Sequence, residues 1–388
     1  MEVFSGSGVW PAVLYAAFKQ GIYQNKAPLL RSFDFNGFSP AAKQETGEEV
    51  LFNGGAPLLH TFNSIEFDLR PSPWMANLRK LRFYPGNIKV LLDVLEATPL
   101  LEDLELESIS TRMTIIWTIR ESIDPTIVLP HVRLPHLQRI KGRFLLTFFG
   151  KIFTHLTFAQ EYCDINLRTD ADGQFVQTDQ LGLELEHAVD GLITQCKQLS
   201  KSPFGTNLSL AVSAETLFIH SPCLSLEVET NATPGLALTR RSGRDVLAVV
   251  LESFSAHVGN VTDFELEVYY QLATDSPILC GLRSLIKEAE SVKSLTLTLL
   301  AINCFLTDSN LQASSNSTVS SEFFPCLETI SMSSFSFSHI SVEKDDKFLS
   351  LLRTFVMFRP TISIFLVTNE PEEIFNSVRE CLHDINEN

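Results

Sequence analysis

Apolar and polar positions along the chain fall into a phrase that is written several times. It reads "APLLRSFDF" at 27–35, "APLLHTFNSIEF" at 56–67 and "TPLLEDLEL" at 98–106. Aligned on a Leu-x-x-apolar core, the copies run Leu30-x-x-Phe33-x-Phe35, Leu59-x-x-Phe62, Leu78-x-x-Leu81-x-Phe83, Leu101-x-x-Leu104-x-Leu106 and Leu137-x-x-Ile140. First leucines are 29, 19, 23 and 36 residues apart, mostly the spacing of repeat architectures. Pro28, Pro57, Pro99 and Pro135 stand just ahead of the segments; proline stops a preceding element and cannot donate to a ladder, so it marks a strand entrance. Positions four and six then point to one face of a short strand, and positions three, five and seven to the other. Between strands the period becomes helical: in "NIKVLLDVLEATPLL", Ile88, Leu91, Leu92 and Leu95 form an apolar stripe that can cover the strands.

The second half repeats the theme in longer units. Helix "RSGRDVLAVVLESFSAHV", with a capping box at Ser242-x-x-Asp245, leads into strand "TDFELEV". "LCGLRSLIKEAES" leads into "VKSLTLTLL", "FPCLETISMSS" follows a Ser/Asn-rich loop at 309–321, and helix "DKFLSLLRTFVMF" leads into "TISIFLV". The predicted strand centres Phe264, Leu295, Ile330 and Ile362 lie 31, 35 and 32 residues apart, and "PEEIFNSVRECLHDI" closes the chain as a helix. The middle reads as short strands ("HLTFAQEYCDINLRTD", "TNLSLAVS", "ETLFIHS", "LSLEVET") and one helix, "ELEHAVDGLITQCKQL". Alternating strands and helices predict a mainly parallel α/β sheet. The recurring phrase, and the lack of a Gly-rich phosphate loop after any strand, favour a right-handed leucine-rich-repeat-like solenoid with an inner sheet and outer helices over a doubly wound domain. The predicted organisation is a lead-in at 1–26 and one solenoid over 27–388: regular repeats at 27–141, degraded ones at 142–240 and longer strand–helix repeats at 241–388.

Composition narrows the function. Apolar residues make up 45% and charged residues 20% of the 388, as in folded proteins. The net charge of −16 argues against nucleic acid, whose phosphates draw Lys and Arg, and against an anionic membrane surface. Seven scattered cysteines with no CxxC predict reduced, buried thiols rather than a zinc site or disulfide framework. "MEVFSGSGVWPAVLYAAFKQ" lacks the basic start of a signal peptide, and a cytoplasmic or nuclear location is expected despite Asn-x-Ser/Thr sequons at Asn207, Asn231, Asn260 and Asn316.

The stretch "GAPLLHTFNSIEF … MANLRKLRFYPGNIKVLLDVLEATPLLEDLELESI … VRLPHLQRI" resembles the repeat region of fungal F-box/leucine-rich-repeat proteins, closely over 27–141 and more loosely over 141–385. The resemblance implies a substrate-holding repeat surface, and a Skp-type ubiquitin-ligase adaptor as partner where an F-box precedes it. No F-box is found in the chain; the opening "MEVFSGSGVWPAVL" looks like the family's segment just before the repeats. Either the box lies upstream or the chain is a stand-alone repeat scaffold.

Motifs for covalent chemistry are missing: there is no GxSxG elbow, HExxH or Walker loop. "SGSG" at 5–8 reads as a flexible turn, and His131 and His136 as surface histidines. No catalytic residue, cofactor or metal is assigned; a hydrolase-type α/β enzyme is the weakest alternative to a protein-binding module. The outward positions three, five and seven supply the candidate surface. They are Ser32, Asp34 and Asn36; Lys80, Arg82 and Tyr84; Asp103, Glu105 and Glu107; Arg139, Lys141 and Arg143. Farther along come Asp263, Glu265 and Glu267; Ser294, Thr296 and Thr298; Thr329, Ser331 and Ser333. Parallel strands ~4.8 Å apart predict lateral pairs Lys80–Asp103, Arg82–Glu105 and Glu105–Lys141. Such pairs specify strand order and also pattern a recognition surface. Tyr84 beside Arg82 is the predicted anchor. In "APLLHTFNSIEF", Ser64 falls on an inward position, which predicts a bulge or register slip.

Overall fold

The computed structural model describes residues 2–38, 50–107, 129–158, 163–171, 186–194, 205–213, 216–222, 224–230, 246–269, 276–298, 301, 324–333 and 363–367. The predicted capping box at Ser242-x-x-Asp245, the helix "DKFLSLLRTFVMF" and the closing helix lie outside these residues. Internal packing divides the chain into two units, Met1–Asp170 with Asp190–Ser200, and Ala171–Val189 with Lys201–Asn388.

In the first unit a parallel sheet runs in the order β1 (Val3–Val9), β2 (Ser32–Phe38), β3 (Thr61–Asn63), β4 (Lys80–Phe83), β5 (Asp103–Leu106), β7 (Arg139–Leu145), β9 (Asp164–Ala171). A parallel pair, β6 (Val132–Leu134) and β8 (Leu156–Phe158), stands apart. Helices α1 (Ala12–Gln24), α2 (Ile88–Glu96) and α3 (Leu146–His155) connect the strands. The Leu-x-x-apolar alignment is the physical register: Phe33, Phe62, Leu81, Leu104, Ile140 and Ile165 are successive Cα partners. The phrase folds by one device. Pro28, Pro57 and Pro99 each follow the first residue of a tight turn, where their fixed φ suits the second position. The leucine two residues on closes it: Leu30, Leu59 and Leu101 donate their N–H to the carbonyls of Ala27, Ala56 and Thr98 at 3.0–3.1 Å, and all three leucines are buried.

The apolar face holds an aromatic column. Phe4, Phe33 and Phe62 stack across β1, β2 and β3 with centroids 5.3 and 5.4 Å apart. Phe33, Phe35, Phe62 and Phe83 are all buried, as core positions four and six should be. At Gly142, a sixth position, the room is filled instead by Phe149 of α3: a Cβ there would stand 2.6 Å from its Cζ. Helix α2 is capped by Asn87, whose Oδ1 accepts from the Val90 N–H at 2.8 Å, and it buries the predicted stripe Ile88, Leu91, Leu92 and Leu95.

Two sequence expectations are corrected here. "SGSG" is not a turn but the middle of β1, with Ser5 and Ser7 opposite Asp34 and Asn36. Gly6 leaves room for a large neighbour: a Cβ there would meet the Phe35 ring at 3.2 Å. The strand–helix alternation thus begins at Val3. At Ser64 there is no extra residue in the ladder; β3 simply ends at Asn63. Ser64 stays inward and buried, its hydroxyl accepts from the Glu66 N–H at 3.2 Å, and its own N–H donates to the Arg82 carbonyl. That turn returns Phe67 to the core and aims Glu66 at α1, where it accepts from the Tyr15 hydroxyl at 2.9 Å. Burial first, then the Glu66 charge, holds that phenol well above its usual pKa.

In the second unit the sheet order is β12 (Leu224–Thr230), β11 (Thr216–His220), β10 (Asn207–Val212), β13 (Asp263–Val268), β14 (Ser294–Thr298), β15 (Thr329–Ser333), β16 (Ser363–Val367). From β10 to β16 pairing is parallel, with α4 (Val246–Ser255) leading into β13 and α5 (Pro277–Glu288) into β14. The last strand pairs Ile330 with Ile364, two residues beyond the predicted centre Ile362. Strands β10, β11 and β12 are antiparallel. A parallel crossover needs about a dozen residues; only residues 213–215 and 221–223 join these strands, so they must turn back as hairpins. The middle helix is helical over 186–194.

Candidate interaction surface

Both sheets bury one face and leave the other open: along β5 in the first unit, and β10 and β13 in the second, every second residue is buried and those between are exposed or half-buried. Backbone register therefore decides which side chains meet on the open face. In the first unit the third positions are Ser32, Thr61, Lys80, Asp103, Arg139 and Asp164, and the fifth are Asp34, Asn63, Arg82, Glu105, Lys141 and Asn166.

Two predicted pairs form. Lys80 Nζ lies 3.1 Å from Asp103, and Arg82 Nε 3.5 Å from Glu105. Two unpredicted contacts bind these strands further: Arg139 Nε reaches the other Asp103 oxygen at 3.5 Å, and Arg82 donates to Glu107 at 2.8 Å. Lys141 faces Glu105 in register, yet among the described residues that predicted pair does not close. Asp34 accepts from the amides of Asn36 and Asn63, both at 3.0 Å. Tyr84 lies one residue past β4, half-buried, with its ring stacked on Phe144 6.2 Å away. It is therefore partly committed within the protein. Arg143 is half-buried on β7.

The register also shows a charged column that the outward-position reading omits. Position two, just before each strand, holds Glu2, Arg31, His60, Arg79 and Glu102, whose carbonyls link successive strands: the Arg79 oxygen accepts from both Glu102 and Asp103 at 2.8 and 2.9 Å. Their side chains pair as well, Arg31 with Glu2 at 3.6 Å and Arg79 with Glu102. The second unit repeats this at Lys293 and Glu328, 3.3 Å apart. The signal was present as Arg31, Arg79 and Glu102, each one residue after the first leucine of its repeat; after Leu137 the same place is taken by the uncharged Gln138.

In the second unit Glu265 faces Ser209 on one side and Thr296 on the other, and Glu267 faces Ala211, so this acidic strand has no cation beside it in register. Glu267 accepts from the Tyr269 hydroxyl, and burial followed by that bond pushes the phenol up to about 12. Thr298 does not stand on the open face: it is 5% exposed, and its hydroxyl accepts from the Val268 N–H at 2.9 Å.

Asp103 and Glu105, with Thr61, Asn63, Lys80, Arg82, Arg139 and Lys141, line a groove of about 240 Å³ across β3, β4, β5 and β7. Elsewhere, His131 and His136 are exposed as expected, and His131 lies against His155 of α3 with centroids 4.9 Å apart. Burial, then the neighbouring His131, lowers the His155 pKa, against the opposing hydrogen bond to the Pro130 backbone. Among the described residues no group of three His, Cys, Asp or Glu is arranged to hold a metal ion, and no helix is long and apolar enough to cross a membrane. Cys163, Cys280 and Cys326 are free, but only Cys163 is buried; the expectation of buried thiols fails for the other two.

These elements define a mixed α/β protein with mostly parallel sheets open on one face. No protein-family model matches the chain, and no curated protein matches it.

Proposed function

We propose that the chain is a non-enzymatic, leucine-rich-repeat-like solenoid that binds a protein partner on its open sheet face. The carrying observation is the in-register charged array from β4 to β7, opposite a face packed with Phe, Leu and Ile. Exposed pairs of this kind contribute only ~0.2–1 kcal/mol each to stability, but a fixed charge pattern orients a partner and speeds its encounter. Where an F-box precedes the repeats, the same surface serves as the substrate-recognition region of a ubiquitin-ligase subunit; without one the chain is a scaffold and does not capture a Skp-type adaptor. Photo-crosslinking side chains placed at Asn166, exposed on β9, and at Lys89, exposed on α2, test the reading in cell extract. The expected result is one protein trapped from position 166 and not from position 89. Equal trapping from both, or none from either, overturns it.

A further inference from the structure

We infer that the groove across β4, β5 and β7 receives a carboxylate side chain of an acidic partner segment, with Lys141 as its receptor. The inference rests on the protein-binding reading and narrows it to a partner chemistry. The chain as a whole carries −16, yet four cations line this groove (Lys80, Arg82, Arg139 and Lys141) against two carboxylates, Asp103 and Glu105. A local excess of positive charge on an acidic molecule steers acidic segments to that place, while the acidic remainder of the surface repels them.

The contacts point to one residue within the groove. Asp103 is shared between Lys80 at 3.1 Å and Arg139 at 3.5 Å, so its charge is already divided. Arg82 turns to Glu105 and, at 2.8 Å, to Glu107. Lys141 is exposed, and its in-register neighbours are Glu105, which does not close on it, and the uncharged Asn166. Among the described residues it is the lining cation with no ion pair. A carboxylate arriving there gains a charge-assisted hydrogen bond without breaking one of the internal pairs. The volume, about 240 Å³, admits one or two side chains rather than a folded body, which fits an extended segment laid across the strands.

The test uses the full chain and a fluorescein-labelled peptide alternating Glu and Gly, with Lys–Gly and Ser–Gly peptides of equal length. Fluorescence anisotropy should show binding of the acidic peptide alone, weakening several-fold between low and high salt as exposed charges are screened. Lys141→Glu should lower affinity about tenfold or more, Lys141→Arg should retain it, and Lys287→Glu on α5 should leave it unchanged. Unchanged thermal midpoints establish that each variant is folded. Equal binding of all three peptides, or an equal loss from Lys141→Glu and Lys287→Glu, overturns the inference. If position 166 traps a partner while the acidic peptide does not bind, the acidic chemistry falls and the protein-binding reading stands. If neither occurs, both fall.

Discussion

At the scale of single residues, contacts that sequence spacing does not reveal decide the behaviour of several groups. Arg82 is held by two carboxylates, Glu105 at 3.5 Å and Glu107 at 2.8 Å. Exchanging charge between 82 and 105 alone therefore leaves the new acid at 82 facing Glu107. Arg82→Glu should cost roughly 0.5–1 kcal/mol in urea melts, Arg82→Glu with Glu105→Arg should recover part, and adding Glu107→Arg should recover the rest. Full recovery by the double exchange would show that the Glu107 contact carries nothing. His155 supplies a pH dependence. Burial and His131 lower its pKa in the folded chain below the usual 6.5, so between those two values the unfolded chain binds more protons. The contribution is complete above about pH 6.5 and is lost as pH falls through the lowered value. Urea midpoints should drop between about pH 7.5 and about pH 5.5, and His155→Phe should flatten that slope; an unchanged slope would assign the acid sensitivity to other groups.

Packing of whole elements depends on what fills each inward position. Phe33 is fully buried and stacked between Phe4 and Phe62, so Phe33→Ala removes a large side chain from the centre of a column. The expected loss is ~3–5 kcal/mol by chemical denaturation. Gly142 presents the opposite case. The repeat asks for an apolar side chain there, as at Phe83 and Leu106, yet α3 has placed Phe149 in that volume. Gly142→Ala should destabilise by about 1–3 kcal/mol through overpacking; a stabilising effect would mean that the Phe149 ring is free to withdraw. Much of this layer was legible. The leucine phrase specified register because one face is buried and a shift by one residue would expose every apolar side chain. The hairpins β10–β11–β12 were not read from the sequence, where they stood as degraded repeats of a mainly parallel sheet; their three-residue linkers carried the signal, because strand patterns alone do not distinguish parallel from antiparallel neighbours. "SGSG" was misread because glycine and serine favour turns locally, whereas in β1 Gly6 accommodates Phe35.

Over the whole molecule, the free thiols offer a reading of the two units separately. Cys163 is fully buried in the first unit, while Cys280 and Cys326 are exposed in the second. Mass spectrometry after brief treatment with a thiol reagent should find Cys280 and Cys326 modified in the folded chain. Cys163 should react only after denaturant is added. Early labelling of Cys163 would show that the β9 end of the first sheet opens under native conditions. The net charge of −16 acts on the same scale: it repels acidic segments from most of the surface, so contrast with the basic groove matters more than the groove's charge alone.

The sequence by itself determined the alternation of strands and helices, the strand register around Phe33, Phe62, Leu81, Leu104 and Ile140, and the charged character of the open face. These follow from short-range rules, a period of two in strands and a proline turn before each leucine. Tertiary structure alone decided which charges are already partnered and which are not. Asp103 could pair with Lys80, Arg139 or both, and Lys141 with Glu105 or with nothing, because long side chains reach several neighbours from the same register. That choice, made by the packing of three adjacent strands, leaves Lys141 open on the face that the repeat pattern had already pointed outward.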